Sequence, residues 1–79
     1  MGGFYYKLWD NYRGTYRISP EEAIQIALEY IPHELVEVGL GTEQGILIYK
    51  VGIRTPAGMY EVKVDTRTGK VIGISEKVE

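Results

Sequence analysis

The stretch Asp65-Thr66-Arg67-Thr68-Gly69-Lys70 constrains the fold of this chain more than any other segment. It lies between two alternating runs, Tyr60-Glu-Val-Lys-Val and Val71-Ile-Gly-Ile. Alternation with a period of two is the pattern of a strand with one buried face. The residues between the runs carry turn chemistry. The Asp65 carboxylate can accept from the N–H groups two and three residues on, and Gly69 supplies a positive φ. Asp65, Thr68 and Gly69 are therefore read as structural turn residues between two antiparallel strands.

A helix precedes the strands, and its start is marked three times over. Ser19 suits the N-cap, Pro20 suits the first helical position, and Glu22 completes a capping box. Glu21 and Glu22 also stand where the helix dipole favours anions. Pro32 ends the helix by Ile31, because it disfavours helical geometry in the residue before it. The apolar residues from Ala23 to Ile31 cover an arc of roughly 200°, against the ~100° stripe that one contact face needs. The helix is thus expected to need a second cover, with Ile26 and Tyr30 on its far edge.

Four strands are expected after the helix. Leu35–Leu40 is followed by a turn through Gly41-Thr42-Glu43-Gln44-Gly45, with the glycines at 39, 41 and 45 marking a hairpin and a bulge. Ile46–Arg54 sets Leu47, Tyr49, Val51 and Ile53 on one face. Thr55-Pro56-Ala57-Gly58 closes a second hairpin before Tyr60, Val62 and Val64. Ile72 and Ile74 are expected to continue the buried face, while Ile46, Ile48 and Met59 look to solvent. The sum is α+β: one N-terminal helix packed on a four-stranded antiparallel meander sheet.

Size and composition narrow the chemistry. Seventy-nine residues hold one domain, and the chain has no cysteine and one histidine. That excludes a disulfide framework and leaves a zinc centre without its usual ligands. The net charge is −2, with Lys7, Arg13 and Arg17 against Asp10 at the start and an acidic remainder. An acidic body does not suit phosphate backbones, so nucleic acid is not an expected partner. No apolar run approaches the ~18 residues of a membrane-spanning helix. The start, Met-Gly-Gly-Phe-Tyr-Tyr-Lys-Leu-Trp-Asp, lacks the apolar core of a secretory signal. As written the chain reads as cytoplasmic, and a chain that begins after a removed signal would read the same, so an extracytoplasmic or spore-associated setting stays open.

The residues resemble the PepSY domain family from Ser19 to about Ser75. The resemblance rests on Ser19-Pro-Glu-Glu-Ala-Ile-Gln-Ile-Ala-Leu28, on Tyr49-Lys-Val-Gly-Ile53, on Tyr60-Glu-Val-Lys-Val-Asp65 and on Thr68-Gly69-Lys-Val71. It implies a helix on an antiparallel sheet, similar to one repeat of the β-lactamase inhibitor protein fold. Such domains occur in propeptides of thermolysin-like metallopeptidases and in bacterial envelope and spore-germination proteins. The resemblance implies a non-enzymatic role, with peptidase inhibition or control proposed for the family, and it brings no catalytic residue set with it. The expected division is an aromatic-rich segment over residues 1–17 and a PepSY-like domain over residues 18–79.

The candidate chemical groups read as structural. His33 has no second histidine or cysteine to share a ligand or proton, so it is expected as a surface imidazole near a helix end. Glu61 and Asp65 are not a working carboxylate pair, since Asp65 holds a turn and Glu61 faces solvent beside Lys63. Ser19 is an N-cap with no base beside it, and the 39–45 glycines precede no helix and no Gly-Lys-Ser/Thr. No catalytic residue, metal site or cofactor is expected.

The N-terminal segment is where recognition is expected. Six of the nine aromatics lie there: Phe4, Tyr5, Tyr6, Trp9, Tyr12 and Tyr16. They can fold back over the helix, anchor a protein partner or a second copy, or stack on single-stranded bases. The sequence thus points to a small binding module, a regulator or inhibitor of a peptidase or cell-wall hydrolase. The alternative is a structural protein that self-associates, as a homodimer, through its aromatic segment.

Overall fold

The order of elements is helix α1 (Pro20–Tyr30) followed by strands β1 (Glu34–Glu43), β2 (Ile46–Thr55), β3 (Gly58–Asp65) and β4 (Val71–Lys77). This computed structural model describes residues 17–77. The strands form one antiparallel sheet in the order β1-β2-β3-β4. The expected α+β layering is present, with α1 laid across β1, β2 and β3.

The capping box is complete. Ser19 Oγ accepts from the Glu22 N–H at 3.1 Å, and Glu22 Oε1 accepts from the Ser19 N–H at 2.8 Å. At the other end Ile31 turns out of helical geometry, with φ −133° and ψ 90°, ahead of Pro32. Ala23 and Ala27 are fully buried and meet Tyr49, Val51, Ile53, Val62 and Val64 of β2 and β3. Two small residues on the contact face bring the helix backbone close to the sheet, and Ile18, Ile26, Leu28 and Val38 close the margins.

The first hairpin is tighter than the sequence suggested. Only Gln44 and Gly45 form the turn, with φ of 51° and 83°, the double positive φ of a two-residue hairpin. Gly39 and Gly41 lie inside β1 instead, and the irregularity in that strand falls between Leu35 and Glu37. A one-residue slip would turn β1 inside out, and the short turn prevents it.

The last strand departs from expectation as well. Ile72 and Ile74 are 38% and 45% exposed rather than buried. Two causes act together. β4 is an edge strand beyond the reach of α1, and the register of β3 with β4 jumps from Val64↔Val71 to Lys63↔Gly73. Ile72 is therefore the extra residue of a bulge, and Val71 takes the place against the core.

On the sheet face away from α1 the sequence is unusually low. Gly39, Gly41, Gly52 and Gly73 all lie there, opposite Lys50, Ile48, Glu37 and Lys63 in register. Neighbouring long side chains fold over two of these glycines. A Cβ at Gly41 would stand 2.6 Å from Lys50 Cε, and one at Gly52 would stand 2.9 Å from Glu37 Cγ. Ile46 is 42% exposed on this face, but Ile48 is fully buried, against expectation. The Lys50 stem lies across Gly41, the β1 partner of Ile48, rather than standing into solvent.

Candidate functional site

The predicted turn and cap residues hold backbone. In the β3–β4 turn the Asp65 carboxylate accepts from the Arg67 N–H at 2.8 Å, and the Gly69 N–H donates to the Asp65 carbonyl at 2.9 Å. Thr68 Oγ1 accepts from the Lys70 N–H at 3.2 Å, and Gly69 has φ 77°. Sequence reasoning passed over Thr66. It is fully buried, and both its N–H and its hydroxyl donate to the Leu47 carbonyl, at 3.2 and 3.0 Å. Its own carbonyl accepts from Arg17 and Ile18 at 2.9 and 3.1 Å. A buried threonine in a polar turn gives no periodic signal, so only its contacts reveal it.

The other polar candidates are kept apart. Glu61 and Asp65 share a face of β3 four positions apart, a separation of about 13 Å along the strand. Glu61 lies 3.9 Å from Lys77 Nζ. Among the described residues no three His, Asp or Glu side chains are grouped to hold a metal ion. No helix among them is long and apolar enough to cross a membrane. The proposed partner anchors Phe4, Tyr5, Tyr6, Trp9, Tyr12 and Tyr16 lie outside the described residues.

The outer face of the sheet is electrically balanced. Lys77 Nζ donates to Glu37 Oε2 at 2.7 Å, and Lys63 Nζ lies 3.3 Å from Glu43 Oε1. The first pair joins the two edge strands across Gly52. The hydrogen bond and charge of Glu37, with a lesser part from Glu61, raise the Lys77 pKa above its ordinary 10.5.

An open cleft of about 450 Å³ lies on the other side. Tyr30, Ile31, Pro32 and His33 form one wall, and Thr55, Pro56, Ala57 and Tyr60 form the other. Local sequence builds both walls. Pro32 stops α1 and leaves Tyr30 58% exposed at its last turn. The β2–β3 turn is held by Thr55, whose hydroxyl donates to the Gly58 carbonyl and accepts from the Ala57 N–H, each at 3.0 Å. The lining is mainly apolar, with tyrosines on opposite walls. Sequence reasoning placed Tyr30 on the helix arc and Tyr60 on a sheet face, and nothing local showed that the two converge.

Comparison with known proteins agrees with this architecture. Residues 17–75 match the family of peptidase propeptide and YPEB domains, PepSY. No curated protein matches the chain. A crystal structure of a predicted lipoprotein from Clostridium difficile 630 is similar in fold, with TM-score 0.76 and 25% identity. The similarity covers 80% of this chain and 41% of that one, so the chain spans about two fifths of the lipoprotein's length. With three quarters of its length matched and the helix-on-meander architecture in place, this chain belongs to the PepSY family.

Proposed function

We propose that this PepSY domain is a non-enzymatic binding module that regulates or inhibits a peptidase or cell-wall hydrolase through surface contact. The observation that carries this reading is membership of a family described by its peptidase propeptides. The cleft between Tyr30 and Tyr60 supplies a described surface suited to it, since exposed aromatics are typical anchors at protein interfaces. Residues 18–79 act as the binding domain and residues 1–17 as a separate aromatic segment. Similarity to a predicted lipoprotein favours work outside the cytoplasm.

The test adds purified protein to secreted peptidases and cell-wall hydrolases of the same bacterium. Turnover of at least one enzyme should fall in proportion to the protein added. If folded protein leaves every enzyme unaffected, the regulatory reading fails. The protein alone should hydrolyse no peptide, ester or phosphate substrate, and turnover that His33→Ala abolishes would contradict the non-enzymatic reading.

A second reading is self-association through Phe4, Tyr5, Tyr6, Trp9, Tyr12 and Tyr16. The gathering of six of nine aromatics into so short a segment favours it. Sedimentation should then show a mass that rises with concentration.

A further inference from the structure

We propose that the cleft at the end of α1 receives an arginine or lysine side chain carried by an extended, partly apolar segment of a partner protein. The proposal rests on the binding-module reading and names the chemistry of the partner.

The last turn of α1 contains no basic residue, so no side chain of that turn offsets the negative end of the helix dipole. Glu29 is exposed in that same turn. Across the sheet, Glu76 pairs in register with Tyr60, and its Oε2 lies 3.7 Å from where a Cβ on Gly58 would stand. Glu29 on α1 and Glu76 on the α1 side of β4 therefore put negative charge beside the cleft. The contrast with the opposite face is informative. There Glu37, Glu43 and Glu61 are met by Lys77 and Lys63, whereas Glu29 and Glu76 have no ion-pair partner among the described residues.

Tyr30 and Tyr60 line the cleft from opposite sides, and the negative face of an aromatic ring attracts a cation. Around an aromatic lining, this acidic rim selects for a basic side chain with an apolar stem.

Among the described residues α1 covers β1 to β3, and none pairs with the outer edge of β4 beside the cleft. Ile74 pairs with Val62 and Glu76 with Tyr60, so both project on the α1 side, where Ile74 is 45% exposed. An extended segment added along this edge sets alternate side chains on that side. An apolar residue would rest on Ile74, and a basic residue two positions along would reach Glu76 and the tyrosines.

The experiment titrates the full chain, labelled for NMR, with the capped heptapeptide Ser-Thr-Leu-Thr-Arg-Thr-Ser. Versions carrying glutamate or citrulline in place of arginine serve as comparisons. The arginine peptide should shift the amides of Tyr30, His33, Ala57 and Ile74, more weakly at high salt, and the glutamate peptide should not. Tyr30→Ala, at an exposed position, should weaken arginine-peptide binding about two- to fivefold. Glu76→Gln should weaken the arginine peptide and leave the citrulline peptide unchanged. Absence of arginine-peptide binding, equal binding of all three peptides, or shifts confined to the Gly52 face would overturn the proposal. So would cleft amides that move with protein concentration alone, which would give the site to a second copy. Should Tyr30→Ala fail to fold, Glu29→Gln with Glu76→Gln decides the matter. Peptide binding without enzyme inhibition would remove only the regulatory reading, and inhibition without peptide binding would remove only this one.

Discussion

The Tyr49 hydroxyl donates to the Ile18 carbonyl at 2.5 Å, joining the middle of β2 to the residue just ahead of the helix cap. Tyr49 is fully buried, so its ring packs in the core while its polar tip fixes where α1 begins. Tyr49→Phe keeps the ring and removes this donor from the carbonyl. The expected cost is about 1–2 kcal/mol, measured by chemical denaturation. An unchanged midpoint would mean that α1 is placed by packing alone.

The β3–β4 turn makes a second prediction. Gly69 has φ 77°, and a Cβ there would stand 3.3 Å from Ile26 Cδ1. Gly69→Val meets both obstacles and should cost more than about 1 kcal/mol. Asp65→Ala removes the acceptor for the Arg67 N–H and should cost about 1 kcal/mol. Thermal melts of both variants that match the parent would contradict the turn's role.

The pairing of Lys77 with Glu37 predicts a dependence on alkaline pH. The folded state raises the Lys77 pKa above 10.5, so it binds that proton more tightly than the unfolded chain does. The stabilisation is therefore complete below 10.5 and fades as pH rises through the raised folded value. Comparing the parent with Glu37→Gln from about pH 8 to about pH 12 should show a stability difference that shrinks toward the alkaline end. Salt should also reduce the difference, because the pair is at the surface. A difference that grows with pH would refute the assignment.

Removal of residues 1–14 tests the aromatic segment. The truncated chain should melt at lower temperature and change in oligomeric mass or solubility, because large aromatics that find a cover contribute about 1.5–3 kcal/mol each. Equal stability, with Trp9 in the parent emitting as it does in water, would remove the second functional reading.

The legible parts of this fold were those encoded locally. Ser19, Pro20 and Glu22 announce the helix, Pro32 ends it, and alternation in β2 and β3 names the buried face. The illegible parts depend on neighbours far along the chain. Gly41 reads as a turn residue until β2 is seen to place Ile48 opposite it. Ile74 alternates like a core residue, and only the reach of α1 leaves it exposed. Ile26 looked uncovered on the helix arc, yet it lies against the Gly69 turn. The cleft was hidden for the same reason, since Tyr30 and Tyr60 are brought together by the stop of α1 and the β2–β3 turn at once.

The Thr66 carbonyl, which receives the N–H groups of both Arg17 and Ile18, also has a mechanical meaning. Tension applied ahead of Arg17 does not pass first along α1. It enters the turn between β3 and β4, and from Thr66 it is handed to Leu47 at the start of β2. A tug on Arg17 is thus felt at the start of β2, and the ties that must yield before the helix can peel away are those of the buried Thr66 and Tyr49.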